Sequence, residues 1–302
     1  MRSIVSLIGS LAIALSAQAA DLAFPADVAQ WQSVAVPAES DRGARMAWFY
    51  AADYSRTEWS VLVDHDVVQA RLDGPRHELS EPGPPFDAHA GKFRGASSFW
   101  RVDDGWLVGF NHGEWGGALY WFSSDGKRNY KISDHQIVRF FRVADKLHAI
   151  EGLAHLSLDE GSVIRISRAA PRRRWRAETF AKLSSAPSAV SVRADDTMLV
   201  TLSTALVSID RRGTIETLLA DQPWAGLYPN SSVISPDGQK LYIGMRQYVG
   251  EIDLHTATLR LLIPSAEFLN KLPAEDERRI REQFDNQGAG IRPSPVQESS
   301  PG

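Results

Sequence analysis

The sequence predicts an all-β fold, a β-propeller of four-stranded antiparallel blades, and three observations support this prediction. Short β-type runs fall into groups of four, and Asp-Gly or related turn pairs separate them. The second runs of the groups begin at residues 59, 106, 147, 198 and 241, a spacing of 41–51 residues. Near-constant spacing of four-strand units is typical of a propeller. An irregular β-sandwich or two β domains is the alternative interpretation.

Five groups of β-type runs account for residues 45–80, 97–133, 137–168, 189–219 and 231–263. The first is the weakest and begins with a predicted strand at Arg45–Tyr50, with Trp59–Val63 as its second strand. The third is predicted to have strands at 137–143, 147–151, 155–159 and 163–168. A propeller ring closes by pairing a strand from one terminus with the blade of the other, and Gln32–Val36 is available for this. We therefore predict five blades, or six if the N-terminal strands are irregular.

One segment of the last group resembles a known repeat. Ser231–Asp253 reads SSVISPDGQKLYIGMRQYVGEID, which is similar to the repeat of YVTN-type and related bacterial β-propellers. The resemblance covers this blade well and the preceding blade loosely. It implies an architecture and no particular activity, because propellers carry many unrelated functions.

The composition excludes several protein classes. The chain has 302 residues, 43% of them hydrophobic, with no cysteine and a formal net charge of -4. Disulfides, thiolate catalysis and cysteine-ligated metals are therefore excluded. The absence of a basic field argues against a nucleic acid partner.

The first twenty residues have the layout of a secretory signal peptide. Arg2 precedes an apolar run at 4–15, and Ala17-Gln18-Ala19 forms a small-residue cleavage site. An uncleaved N-terminal anchor is the alternative. No second long apolar run follows, so we expect a mature chain without a transmembrane segment, located in the periplasm or secreted.

The rest of the chain divides into three parts. Residues 21–264 form the predicted propeller domain, and residues 265–288 form a C-terminal helical segment, in which Ser265 caps a short turn and a helix follows Pro273. Residues 289–302 are rich in Gly, Pro and Ser and are predicted to be a disordered tail.

Antiparallel pairing sorts the connections between two sides of the disc. Second-to-third loops and blade-to-blade connections emerge on one side, here called the loop side, and the two other hairpins emerge on the opposite side. The most unusual loop-side segment is 111–117, which contains three glycines. Asn111, His112, Glu114 and Trp115 are candidate ligand-binding residues, because they combine a base, an acceptor and a stacking platform. A glycine-shaped bulge whose tryptophan covers the core, with His112 and Glu114 solvated, is the alternative.

Two further clusters are assigned to the loop side. Arg172, Arg173 and Arg174 belong to a run of six arginines within twelve residues and are candidates for binding an anionic ligand. Asp64, His65 and Asp66, together with Glu114, are a candidate site for a divalent cation. A solvated linker and a polar hairpin tip are the respective alternatives.

Two functional hypotheses remain open, and the sequence does not decide whether the protein is an enzyme. The first is an exported propeller that binds a small molecule, a glycan or an envelope protein through its polar loop side. The second is a propeller hydrolase or lyase acting on a carbohydrate or lactone, with a divalent cation as possible cofactor. No G-x-S-x-G, Walker A or H-E-x-x-H motif is present, which favours binding.

Overall fold

The computed structural model describes residues 28–55, 58–72, 83–89, 93–170 and 173–270, with residues 274, 275, 277, 278 and 281 of the C-terminal segment. The predicted signal peptide, the strand at 76–80, Arg172 and the tail at 289–302 lie outside the described residues. In chain order, the strands of the N-terminal half are β1 Gln32–Val34, β2 Trp59–Asp64, β3 Val67–Leu72, β4 Ala96–Val102, β5 Gly105–Asn111, β6 Gly117–Ser123, β7 Asn129–Ser133 and β8 Ile137–Val143. The remaining strands are β9 Lys146–His155, β10 Leu158–Ser167, β11 Arg176–Leu183, β12 Pro187–Val192, β13 Met198–Leu202, β14 Leu206–Ile209, β15 Ile215–Leu219, β16 Ser231–Ile234, β17 Lys240–Gly244, β18 Val249–Asp253 and β19 Thr258–Ile263. Among the described residues, helices α1 Arg42–Asp53 and α2 Ala266–Leu269 accompany them, and residues 274, 275, 277, 278 and 281 are also helical.

The described strands form five antiparallel sheets, one for each predicted group. Their orders are β2-β3, β4-β5-β6-β7, β8-β9-β10-β11, β12-β13-β14-β15 and β16-β17-β18-β19-β1. The first strands of the sheets pack on one another in the sequence β4, β8, β12, β16 and β2. These strands therefore lie innermost, and each sheet extends outward from them.

The hydrophobic core lies between neighbouring sheets. Leu107 and Leu119 of the second sheet pack with Ile137 and Ile164 of the third in one buried cluster. Separate clusters of the same kind join the third sheet to the fourth, the fourth to the fifth, and the fifth to the first. Strands buried on both faces explain the continuous apolar runs in the sequence, such as the fully buried β13.

The predicted ring closure is confirmed in the pairing of β1. Gln32, Ser33 and Val34 pair with Ile263, Leu262 and Leu261 of β19, which makes the fifth sheet five-stranded. At the C-terminus, the predicted cap is also confirmed, since Ser265 Oγ accepts a hydrogen bond from Phe268 N at 3.1 Å. Of the helices in the described residues, none is long and apolar enough to cross a membrane.

The prediction of a strand at Arg45–Tyr50 was wrong, because this segment belongs to α1. Asp41 caps the helix by accepting a hydrogen bond from Ala44 N at 2.9 Å. Trp48 and Ala52 are one helical turn apart and are the buried residues of the helix. A buried pair spaced by four in an alanine-containing segment fits helical rather than strand periodicity.

Because 45–50 is helical, β2 is the innermost strand of the first sheet. The sequence predicted it as the second strand. Val61 N donates to Ser231 Oγ at 2.9 Å, and Trp59 N donates to Met245 O at 3.1 Å. The start of β2 therefore lies beside the start of β16, and the two strands run in the same direction. The turn after Asp64 is then a first-to-second hairpin.

The third sheet also departs from the prediction. Residues 146–155 and 158–167 form two long strands, and the fourth strand is β11, which the sequence reading left out. Glu160-Gly161 resembles a turn but lies within β10, where Gly161 pairs with Gly152. A Cβ on Gly161 would lie 2.4 Å from Pro187 Cδ, so glycine here permits close approach of the fourth sheet rather than a turn.

Candidate functional site

The candidate residues 111–115 form a short turn between β5 and β6 on the loop side. Residues Gly113–Trp115 make one 3-10 turn, and Asn111 Oδ1 accepts a hydrogen bond from Gly113 N at 3.0 Å. Gly113 and Gly116 have φ values of 58° and 92°, a region that L side chains rarely adopt. The glycines are therefore required by the turn, and Asn111 serves to brace it.

The turn is fastened to the third sheet. Glu114 Oε2 lies 2.9 Å from His155 Nε2 at the end of β9. Gln136 Nε2 donates to Gly113 O at 2.5 Å, while Gln136 O accepts from Gly152 N at 3.1 Å. Side chains and backbone of two neighbouring sheets thus hold the turn in one position.

The indole of Trp115 is presented to solvent by this fixed turn. Trp115 is 74% exposed, and its ring lies 5.3 Å from that of His112 at an interplanar angle of 40°. The alternative in which this tryptophan covers the core is not what the structure shows. A rigid, exposed aromatic side chain is a typical contact residue.

The β9–β10 hairpin projects beside the turn, and sequence analysis did not find it. Its tip carries Leu156, which is 92% exposed, and Leu158, which is 50% exposed. Leu156 has a φ of 53°, in the left-handed region. Asp159 Oδ1 supports the hairpin by accepting hydrogen bonds from Ala186 N and Ser203 Oγ, both at 2.7 Å. The turn and this tip together are called the tip cluster, defined as Glu114, Trp115, His155, Leu156 and Leu158.

The described residues Arg168, Arg173 and Arg174 of the arginine run lie on the opposite side from the tip cluster. The run connects β10 to β11, a third-to-fourth hairpin, and not two sheets as the sequence predicted. Arg168 forms ion pairs with Asp103 and Asp104, which lie in the first-to-second hairpin of the second sheet. Arg174 lies 4.8 Å from the centre of the Tyr130 ring, and Arg173 is exposed. This run is therefore separated from the turn at 113–115.

The candidate cation site is likewise divided. Asp64, His65 and Asp66 occupy the first-to-second hairpin of the first sheet, on the side opposite Glu114. Asp64 Oδ1 contacts His65 Nδ1 at 2.9 Å, and both side chains are largely exposed. Within the described residues, no group of three His, Asp or Glu side chains is placed to hold a metal ion. The predicted combination of Asp64, His65, Asp66 and Glu114 does not assemble.

The architecture is decided by the radial order of the sheets: antiparallel sheets, each with its first strand innermost, pack face to face in sequence order. The protein is a β-propeller. No protein-family model and no curated sequence matches this propeller. The resemblance of residues 231–253 to YVTN-type repeats therefore concerns the architecture of the protein and not its activity.

Solved structures with a related fold include enzymes and a binding protein. A streptogramin B lyase is 16% identical, with a TM-score of 0.38 over 55% of this chain and 54% of that one. A gluconolactonase from Xanthomonas campestris is 13% identical, with a TM-score of 0.38 over 68% and 64%. An auxiliary nutrient binding protein from Bacteroides thetaiotaomicron is 10% identical, with a TM-score of 0.33 over 53% and 45%. The match spans less than two thirds of each of these proteins, and it concerns the fold alone.

Proposed function

We propose that this protein is an exported propeller that docks an envelope protein through the tip cluster. The observation that carries the proposal is the conformation of Leu156, an almost fully exposed leucine in the left-handed region. That conformation costs about 1–2 kcal/mol for a residue with a Cβ, and glycine would avoid the cost. Backbone strain and an exposed apolar side chain are each unfavourable for the isolated fold. A role of Leu156 in binding accounts for the strain and for the exposure.

The chemistry of the tip cluster favours a protein over a glycan. Trp115, Leu156 and Leu158 supply an apolar centre, while Glu114 and His155 supply a polar rim. Interface centres that dominate protein binding combine a large aromatic anchor with apolar neighbours and a polar surround. A sugar would stack on Trp115 but would find no hydrogen-bonding partner on the two leucines.

The arrangement around Glu114 favours binding over hydrolysis or lyase chemistry. Such chemistry needs two or three acidic or basic groups converging on one water or substrate atom. In the tip cluster the one carboxylate, Glu114, is engaged by His155 at 2.9 Å and connects two sheets. We therefore assign Glu114 and His155 to positioning Trp115 and Leu156. The periplasmic location follows from the predicted signal peptide and forms part of this proposal.

Site-specific photo-crosslinking in living cells tests the docking surface. A photoreactive aromatic residue replaces Trp115 in one variant and Leu156 in another, with Arg212 as the matched control. Arg212 is exposed in the β14–β15 hairpin on the opposite side. We expect one adduct of the same mass from positions 115 and 156, and none from position 212. Equal labelling at all three positions, or different adducts from the first two, would contradict the proposal.

Replacement of Leu156 by glycine is expected to stabilise the fold while weakening docking. The gain in unfolding free energy should be up to about 1 kcal/mol, because glycine removes the left-handed strain but adds unfolded-state entropy. The crosslink from position 115 should fall at least severalfold in the double variant, since the leucine side chain is lost. Urea denaturation measures the first effect and adduct yield measures the second.

Ala144 supplies a matched control for that substitution. It also has a positive φ, 48°, but lies in the β8–β9 hairpin on the opposite side. The Ala144→Gly variant should show a similar change in stability with an unchanged adduct yield. If both glycine variants reduced the adduct equally, the effect would not belong to the tip cluster.

A further inference from the structure

Helix α1 forms a fixed wall on the loop side of the fifth sheet. Trp48 Nε1 donates to Tyr248 Oη at 2.9 Å, and both side chains are buried. Gln247 Nε2 donates to Ala51 O at 2.7 Å, and Arg246 Nη1 donates to Asp53 O at 2.9 Å. These bonds hold both the middle and the C-terminal end of the helix against the β17–β18 connection.

A cavity of about 580 Å³ opens between this helix and the connection that precedes β16. Its volume lies within the range of small-molecule sites, about 300–1,000 Å³. The apolar part of its lining comes from Met46, Phe49, Tyr50, Gly226 and Tyr228. Met46 is 62% exposed and Tyr50 is 58% exposed, so their apolar surfaces face open space.

The local sequence explains the shape of the cavity. Arg42, Met46 and Tyr50 are spaced by four residues and therefore form one ridge along α1. A Cβ on Gly226 would lie 2.5 Å from Phe49 Cδ1, so glycine at this position lets the aromatic wall approach the connection closely. The result is a cleft with aromatic walls and a cationic end.

Among the described residues that line the cavity, one arginine forms no ion pair. Asp53 accepts a hydrogen bond from Tyr228 Oη at 2.5 Å and lies 3.6 Å from Arg246 Nη1. Glu39 lies 4.0 Å from Arg45 Nη2. Arg42 is exposed and forms no ion pair with any other described residue. The guanidinium of Arg42 is thus free to bind an anion at the end of an apolar cleft.

We propose that this cavity is a second binding site, separate from the tip cluster, and that it takes an aromatic carboxylate. The aromatic body would lie against Phe49, Tyr50 and Met46, and the carboxylate would receive hydrogen bonds from Arg42. Planar carboxylates match the fork of an arginine, and aromatic rings pack well on tyrosine and phenylalanine. The site is formed by α1, the segment before it and one connection, and it does not depend on the proposed docking function.

Ligand-observed NMR titrations with two matched probes test the site. The probes are 2-naphthoate and its neutral analogue 2-naphthalenemethanol, each added to the mature full-length protein. We expect the carboxylate to bind about tenfold more tightly, the value of one charge-assisted hydrogen bond. Arg42→Gln should remove that difference and leave the binding of the alcohol unchanged. Tyr50→Ala should weaken the binding of both probes.

Arg212→Gln, an exposed arginine on the opposite side, is the control and should bind both probes as the unmodified protein does. Both Arg42 and Tyr50 are exposed, so these variants are expected to fold, and circular dichroism verifies that they do. The absence of saturable binding up to the solubility of the probes would overturn the proposal. Binding that neither Arg42→Gln nor Tyr50→Ala alters would also overturn it.

Discussion

Replacing Gly244 by alanine is expected to destabilise the protein by about 3 kcal/mol, the upper part of the usual range for overpacking a core. Gly244 ends β17, and a Cβ at this position would lie 2.5 Å from both Ser231 Oγ and Trp59 O. It would also lie 2.9 Å from Ser60 Cα. Two of these atoms belong to the backbone of β2, so no rotation of a side chain relieves the clash.

The expected loss is large because Gly244 lies where the ends of the ring meet. Next to it, Trp59 N donates to Met245 O, which joins the first sheet to the fifth. Displacing β2 would also disturb the buried cluster that includes Trp59, Val61 and Tyr242. Urea denaturation, monitored by tryptophan fluorescence, gives the change in unfolding free energy.

Gly250 in β18 of the same sheet supplies the control. A Cβ there would lie 3.1 Å from Met245 Cε, the end of a flexible side chain, and farther from other atoms. Gly250→Ala should therefore cost much less than Gly244→Ala. Similar losses for the two variants would show that strand propensity, and not closure of the ring, determines the effect.

Local turn chemistry and repeat spacing were sufficient to predict most of the sheets. Asp125-Gly126, Arg212-Gly213 and Asp237-Gly238 do join consecutive strands, and their glycines have positive φ values of 71°, 88° and 72°. The fourth sheet matches the predicted group at 189–219 strand by strand. These regions were predictable because short-range hydrogen bonding and backbone freedom determine them.

The errors arose where long-range packing decides the local structure. Gly161 allows close approach of Pro187, which is distant in sequence. The pair Glu160-Gly161 therefore lies within a strand, although its sequence is typical of a turn. Segment 45–50 is helical, with Trp48 buried against the fifth sheet. Its partner Tyr248 is 200 residues away. The local sequence predicts neither the contact of Gly161 with Pro187 nor that of Trp48 with Tyr248.

Errors in strand order carried over directly to the predicted site. One misplaced strand in the first sheet transferred Asp64–Asp66 to the opposite side of the disc, and one in the third sheet transferred Arg173 and Arg174. The residues at 111–115 were placed correctly on the loop side because their own sheet was predicted correctly. Their neighbours Leu156 and Leu158 were missed, because a leucine in the left-handed region contradicts ordinary turn preferences.

Glu251 of β18 is expected to contribute strongly to stability through its charge. Its side chain is buried and accepts hydrogen bonds from Tyr242 Oη at 2.9 Å, Lys240 Nζ at 3.1 Å and Arg260 Nε at 2.9 Å. Removing one partner from a buried ionic network usually costs about 3–5 kcal/mol. Because Lys240 and Arg260 are partly exposed, we expect a loss at the lower end of this range, about 3 kcal/mol, for Glu251→Gln at neutral pH.

This loss should depend on pH in a defined direction. Burial raises the pKa of Glu251, but the hydrogen bonds from Tyr242 and Lys240 and the charges of Arg260 and Lys240 outweigh it. The pKa in the folded protein therefore lies below its ordinary value of 4.5. A lowered carboxyl pKa contributes stability above the unfolded value, and that stability is lost as the pH falls through the folded value.

The difference in unfolding free energy between the unmodified protein and Glu251→Gln should accordingly stay constant between about pH 8 and 6. It should shrink below pH 4.5 as the glutamate of the unmodified protein becomes protonated and resembles the amide. Urea denaturation at a series of pH values measures this, with Glu216→Gln on the exposed face of β15 as the control. A difference that persists unchanged into acid would mean that Glu251 contributes through shape and neutral hydrogen bonds, and not through its charge.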